Sequence, residues 1–388
     1  MQPYLIEAIR TPRGKGNAKG RLNDVKPVNL LRCLFDEMKV RAPHATVNTD
    51  EVILGCVSQL GDQGGNIAHT ACLYADWQPK GSGTTVNSFC TSALTALGLA
   101  SAKISAQMGD LFAVGGVESM SRVPLMSDKG ALFEDPEVSG KVPYVPNGVV
   151  ADFFATKNGL SRNDLDEYAV RSHQRAASAT DQGFFQRSLV PIADTQGHLL
   201  IDRDELIRPG SSPESLKKLP PLFAELGSKG PNERLLKHCP EVLAIEHMHH
   251  AGCAPGIVDG ASLALVGSAN AAKRLNLPLR ARIRAQSFKR GPAIEALTGG
   301  LIATEDALKQ CGLTPNDIDL WEFNEGFAGI VMHCAGQLGI DHDRLNVNGG
   351  GIAMWHAMGA TGINLLSTLV DEVERRNVNT GVVAISGA

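Results

Sequence analysis

Apolar and polar positions alternate in two rhythms over the first 119 residues. Short apolar runs at Tyr4–Ala8, Val52–Cys56, Thr84–Asn87 and Leu111–Gly115 predict strands. Between them the spacing is helical. In Val28–Val40 the residues Leu30, Leu31, Leu34 and Met38 fall on one face, and Asn66–Ala75 and Thr91–Met108 predict two further helices. Strand–helix alternation of this kind predicts parallel βαβ units.

From about Met120 to Met248 the rhythm breaks. Loops rich in Pro and charge, Asp128–Pro146 and Arg208–Pro221, accompany one clear helix, Ser161–Gln182. Ser161 or Asn163 can cap that helix, with Asp164 and Asp166 in its first turn. The stretch predicts an excursion on top of a sheet domain, not a new sheet. From about Ala251 the alternation returns. Strands are expected at Ser262–Val266, Leu279–Gln286, Ile318–Glu322 and Val382–Ile385, and helices at Gly299–Gln310 and Phe327–Leu338. The two ends of the chain resemble one another. Thr85-Val-Asn87 precedes a turn through Cys90 into an Ala-rich helix, and Asn346-Val-Asn348 precedes three glycines and another small-residue helix. The shared Val-Asn pair before a tight turn predicts an internal duplication, with chemistry where the two helix starts converge.

Composition narrows the function. The 388 residues are 43% hydrophobic and 20% charged, with a net charge of −4. A sizeable core is therefore available, and no basic surplus points to nucleic acid. No window reaches the roughly 18 apolar residues of a membrane span, and the start shows no leader pattern. The eight cysteines form no CxxC pair and no zinc-like spacing. A soluble, cytoplasmic protein with mostly reduced, buried cysteines is expected.

Three constellations carry candidate chemistry. In Asn87-Ser-Phe-Cys90-Thr-Ser-Ala93 a strand end turns into a helix whose first turn holds Cys90. A helix N-terminus lowers thiol pKa values, which makes a nucleophile; a buried small hydrophobe is the ordinary alternative. In Asn348-Gly-Gly-Gly-Ile-Ala-Met-Trp-His356-Ala-Met-Gly-Ala-Thr-Gly362 the glycines, Gly350 among them, allow close backbone approach, and His356 suits thiol activation. No GK[ST] follows, so a phosphate loop is rejected. In Trp321-Glu-Phe-Asn324-Glu-Gly-Phe-Ala328, Asn324 either caps a helix or helps an oxyanion site.

Together, in this order, these blocks resemble the thiolase family over nearly the whole chain. Ile6-Glu-Ala-Ile-Arg10-Thr-Pro12, Gly115-Gly-Val-Glu118-Ser-Met-Ser121 and Asp259-Gly-Ala261 add to the likeness. The resemblance implies an α/β thiolase fold, in which two similar βαβ-type halves form a five-layered α-β-α-β-α core. Residues 1–119 and 249–264 would form the N-terminal half, 120–248 an inserted loop domain for coenzyme A and substrate, and 265–388 the C-terminal half. It implies acyl-CoA C-acyltransferase activity on acyl-CoA or 3-ketoacyl-CoA, in a homodimer or homotetramer. Coenzyme A is a cosubstrate, and neither cofactor nor metal is implied. Cys90 matches the acylated nucleophile, His356 the histidine that activates it, and Asn324 an asparagine that holds an oxyanion-hole water. Arg208, Ser215, Phe327 and Gly350 match positions around coenzyme A.

The departures are as specific as the matches. Ser386 stands where the family has its second cysteine, the acid/base of the carbon–carbon step, and the sequence ends at Ala388 before the family's glycine turn and final strand. A serine there leaves open a protein that acylates Cys90 with weak carbon–carbon activity, a hydrolase or an acyl-CoA-channelling subunit. Trp355-His356-Ala357 replaces Gly-His-Pro, and Cys253 and Pro255 replace Asn and Ser before Asp259. The cluster Glu246-His247-Met-His249-His250 reads as structural or substrate-facing sooner than as a metal site.

Overall fold

The computed structural model describes residues 1–387; Ala388, the last residue of the expected C-terminal half, lies outside them. The larger sheet runs in the order Gly83–Val86, Glu51–Gly55, Leu111–Ser119, Val258–Ser268, Pro3–Arg10, Ala281–Arg282, and Gly14–Lys15 also pairs with Val258–Ser268. The first three strands are mutually parallel, as βαβ units require. Val258–Ser268 runs antiparallel to both its neighbours, so the sheet is mixed and not wholly parallel. The long excursion before it lets the chain re-enter the sheet in the opposite direction.

Successive side chains of a strand point to opposite faces, and this builds the layers. Val52 and Leu54 join Leu30, Leu34, Phe35 and Met38 of the helix Pro27–Arg41 and Ala68 and Ala71 of the helix Ile67–Tyr74. Ile53, with Phe112 and Val114, faces the other way, onto Ala93, Ala96 and Ala100 of Ser92–Ser105 and Ile363 and Val370 of Thr361–Arg376. Beyond those inner helices lies a second, parallel pair of strands, Leu320–Phe323 and Gly381–Ala384. Trp321 and Phe323 point away from the inner helices, into a core with Val331, Cys334 and Ala335 of Ala328–Leu338 and Leu308 of Gly299–Cys311. The sequence is helix, sheet, helix, sheet, helix.

Most expected elements are present within a few residues. The exception is Leu279–Gln286, of which only Ala281–Arg282 pairs, with Leu5 and Tyr4 at the sheet edge. In the excursion the helix Arg162–Asp181 begins at Ser161, which forms a capping box with Asp164, while Asn163 bonds Glu167 instead. A small hairpin, Ile192–Ala193 with Leu199–Ile201, also lies there, apart from the main sheet. The excursion's helix Asn147–Lys157 contributes Val149, Phe153 and Phe154 to the same core as Ile330 and Val331, so this region sits on the second half. Among the described residues, no helix is long and apolar enough to cross a membrane.

Candidate active site

Phe89 adopts φ +51°, a left-handed conformation that costs a bulky residue about 1–3 kcal/mol. The turn is fixed by its own polar groups. Asn87 Oδ1 accepts from Phe89 N, Ser92 Oγ accepts from Ser88 N and donates to Phe89 O, and Thr91 Oγ1 donates to Ser88 O. Cys90, half-buried, follows Phe89 just ahead of the helix Ser92–Ser105. A helix N-terminus is worth about 0.3–1 kcal/mol to an anion. Burial works the other way and wins: it pushes the Cys90 thiol from 9 up to about 12, with the Glu118 carboxylate adding to the rise. Three pKa units correspond to about 4 kcal/mol. The Cys90 thiol is therefore held neutral, opposite to the depressed pKa expected from the helix start alone.

His356 lies in a break between the single helical turn Gly351–Met354 and the helix Thr361–Arg376. Its Nδ1 is 2.7 Å from Thr361 Oγ1, and that hydroxyl donates to Ala357 O at 2.8 Å. With the hydroxyl hydrogen committed, Nδ1 carries the imidazole proton and Nε2 carries the lone pair. Nε2 is buried and has no partner among the described residues. Burial, then the charge of Arg13, lowers the His356 pKa from 6.5 to about 4. The imidazole is therefore neutral near pH 7, and its Nε2 lone pair is free to accept a hydrogen bond or a proton.

Two buried carboxylates hold this segment. Glu325 Oε2 accepts from Ile352 N and Ser172 Oγ, and its other oxygen from Tyr168 and Asn346. Glu118 accepts from Val57 N, Ser58 N, Gln63 and Gly359 N. Glu118 therefore ties the His356 segment to the sheet that carries Cys90. Close packing brings the segments together. A methyl group at Gly362 would lie 2.8 Å from Leu94 N, and one at Gly55 would lie 2.5 Å from Gly359 O. The starts of the two inner helices thus meet, as the duplication leads one to expect.

The remaining candidates divide. Asn324 is buried and does not cap the helix, whose cap is Phe327; its Oδ1 is unpartnered and faces Gly351. Ser386 Oγ accepts from Gly300 N at 3.1 Å, in the first turn of Gly299–Cys311. The next residue, Gly387, lies beside Ser88 O and Thr91 of the nucleophile turn. Phe327 meets Phe223 of the excursion and His249 edge-on, at 5.8 and 5.7 Å. Arg208 is exposed and makes no ion pair among the described residues, and its guanidinium stands 6.0 Å over the Trp355 ring. Ser215 is exposed and shares a capping box with Ser212. Gly350 serves packing, because a side chain there would collide with the Glu325 carboxylate.

The histidine cluster is a hydrogen-bonded network. His247 and His249 share Asp152 through their Nδ1 atoms, His249 Nε2 accepts from Gly329 N, and His250 pairs with Asp166. Among the described residues, no group of three His, Cys, Asp or Glu is placed to hold a metal ion. Glu118 and Glu325 appeared in the sequence only as letters of longer blocks. The signal that marks Glu118 is an acid inside a strand, Leu111–Ser119, buried along its whole length.

Comparison with known proteins agrees with this fold. Residues 4–231 match the thiolase N-terminal domain and residues 277–388 the thiolase C-terminal domain. The 3-ketoacyl-CoA thiolase of Shewanella loihica is 36% identical, with 99% of this chain and 96% of the relative covered. That of Colwellia psychrerythraea is 34% identical, with 98% and 95% covered. The crystal structure of human mitochondrial 3-ketoacyl-CoA thiolase superposes with a TM-score of 0.83 at 28% identity, covering all of this chain and 96% of that one.

Proposed function

Because the chain belongs to the thiolase family, we propose that it is an acyl-CoA C-acyltransferase working through an acyl-enzyme on Cys90, with acyl-CoA and 3-ketoacyl-CoA as substrates. The unpartnered Nε2 of His356 carries this reading. The thiol attacks the thioester carbonyl while its proton passes to Nε2. The tetrahedral species collapses to a Cys90 thioester, and coenzyme A leaves as the thiol after taking that proton back. Transferring the proton during attack suits a neutral thiol and a neutral imidazole better than a standing ion pair would. Asn324 Oδ1 is free to hold a water that donates to a developing oxyanion, an aid worth about 3 kcal/mol per donor.

Residues 120–248 serve in this reading as the coenzyme A-binding loop domain inserted in the first half. Arg208, exposed and without an ion pair, suits a phosphate, and Phe327 lies between Phe223 and His249 as a tunnel wall would. No cofactor or metal is needed. The reading extends to a cytoplasmic homodimer or homotetramer. Its eight cysteines are all free, and Gly83–Val86 is a terminal strand of the larger sheet that a second copy can extend.

A second reading is favoured by Ser386, whose hydroxyl stands where a thiol would serve the carbon–carbon step: acylation proceeds and carbon–carbon chemistry is slow. One experiment separates the two. Acetyl-CoA is mixed with the enzyme, the adduct is located by peptide mass spectrometry, and thiolysis of acetoacetyl-CoA and longer 3-ketoacyl-CoAs is then assayed. A Cys90 adduct with turnover supports the transferase, a Cys90 adduct without turnover supports the second reading, and no Cys90 adduct overturns both.

A further inference from the structure

The excursion holds a group of reactive side chains that acyl transfer leaves unused. Lys157, in the last turn of Asn147–Lys157, places Nζ 3.1 Å from the sulfur of Cys239. Cys239 follows directly on the helix Pro231–His238 and caps its C-terminal end. Its thiol hydrogen-bonds Glu241, whose carboxylate stands 3.4 Å from the same amine. Amine, thiol and carboxylate thus meet at one point between two helices. Among the described residues, no other cysteine sulfur hydrogen-bonds a lysine. Access to the group is uneven. Cys239 is 4% exposed, whereas the side chains of Lys157 and Glu241 are 35% and 62% exposed. A small oxidant passing the amine can touch the sulfur, while glutathione or a protein thiol is too bulky to follow. A sulfenic acid formed on Cys239 therefore has one amine or thiol within reach, that of Lys157. Burial, then Glu241, raises the Cys239 thiol, and the charge of Lys157 opposes that rise.

We propose that Lys157 and Cys239 form an oxidation site, at which a hydroperoxide joins the two side chains through a covalent sulfur–nitrogen bond. In the first step the Cys239 sulfur gives two electrons to hydrogen peroxide. The O–O bond breaks, the sulfur becomes a sulfenic acid, and water leaves. In the second step the Lys157 ammonium passes a proton to the Glu241 carboxylate, and the freed nitrogen lone pair attacks the sulfur. The S–O bond breaks as the S–N bond forms. Of the two protons the ammonium loses, one departs with the hydroxide as water and the other goes to solvent. The flexible four-carbon stem of lysine lets the amine close the remaining gap. The link ties the end of Asn147–Lys157 to the end of Pro231–His238, across 82 positions of the chain. A closed loop of that length restricts the unfolded chain, so the oxidised protein resists unfolding more than the reduced one. A thiol reductant attacks the sulfur and returns both side chains.

The test treats the full chain with hydrogen peroxide, digests it with chymotrypsin and maps the peptides by mass spectrometry. The peptides bearing Lys157 and Cys239 should appear joined, lighter by two hydrogens than their sum, and dithiothreitol should separate them. Lys157→Arg keeps the positive charge but has no amine to form the link. In that variant the joined peptide should vanish, and labelling of Cys239 by dimedone, which traps sulfenic acids, should rise at least tenfold over the wild type. Cys239→Ser should show neither product. Cys90→Ala should form the link as the wild type does, so the site stands or falls apart from the acyl-enzyme reading. The melting temperature of each reduced variant identifies folding failure, in which case the wild-type peptide map decides. A wild-type Cys239 that stays a thiol, or goes on to sulfinic acid with Lys157 still free, overturns the proposal. So does equal dimedone labelling in wild type and Lys157→Arg, or a link that disappears in Cys90→Ala.

Discussion

In the first half of the molecule, Asn87 leads through one turn directly into the helix Ser92–Ser105. In the second, Asn348 leads into a single helical turn, Gly351–Met354, then a break at Trp355–Ala357, and only afterwards into Thr361–Arg376. Both helices end up in the same central layer, start against start. The short turn places Cys90, the proposed nucleophile, and the longer one places His356, the proposed base. Trp355 sits in that added stretch at φ +59°, its carbonyl held by Arg13, immediately before His356. Two passages into one helical layer thus carry different chemical groups, and the one that carries His356 is the longer.

The largest expected effect breaks the comparison at the short turn. Cys90→Ala should lower acyl transfer by about 10⁴-fold or more and leave no thioester adduct after incubation with acetyl-CoA. An adduct appearing on Cys253 or Cys334 would place the nucleophile elsewhere. At the long turn, His356→Gln should slow acylation about 10²–10⁴-fold, the usual worth of a positioned base. The loss should be seen in the burst phase of single-turnover kinetics. Ser386→Cys sharpens the comparison: thiolysis of a 3-ketoacyl-CoA should rise at least about tenfold while the acylation burst stays nearly constant, since a thiol exchanges protons far more readily than a hydroxyl. Equal thiolysis rates in the two proteins would show that another group moves that proton.

Two smaller effects concern stability. Glu118→Gln turns an amide donor toward at least one backbone N–H now satisfied by the carboxylate, at a cost of about 1–3 kcal/mol, measurable by urea denaturation. Acid should act through the buried histidines. Burial, with a nearby arginine charge, holds both His356 and His173 near 4, against 6.5 in the unfolded chain. Between those values the unfolded state binds the extra protons, so stability falls as pH drops from about 6.5 toward 4, by at most about 3 kcal/mol per histidine. His356→Gln should remove its share of that slope.

Much of this arrangement was legible from residue spacing. The helices Pro27–Arg41 and Arg162–Asp181 carry their faces and cap in local sequence, and the strand–turn–helix around Cys90 is equally local. What spacing concealed is held by long-range contacts. Glu118 meets Val57 and Gly359 across 61 and 241 positions, so no local pattern marks its partners. Asn324 illustrates another limit: at a strand end before a helix, a capping amide and a free one look alike, and only packing against Gly351 tells them apart. The Cys90 pKa runs opposite to the helix-terminus argument because burial depends on the folded surroundings, which local sequence does not encode.

The bond from Gly359 N to Glu118 also has a meaning for the protein's synthesis. At roughly 5–20 residues per second, a ribosome needs on the order of ten seconds or more to travel the 241 positions between them. During that interval Cys90 has already been made, while His356, its proposed base, has not. On the proposed mechanism, a nascent chain in this window holds an unactivated thiol and cannot consume acyl thioesters. Catalytic competence then arrives in one late event, when the C-terminal half docks and Gly359 supplies the last backbone donor to the Glu118 carboxylate.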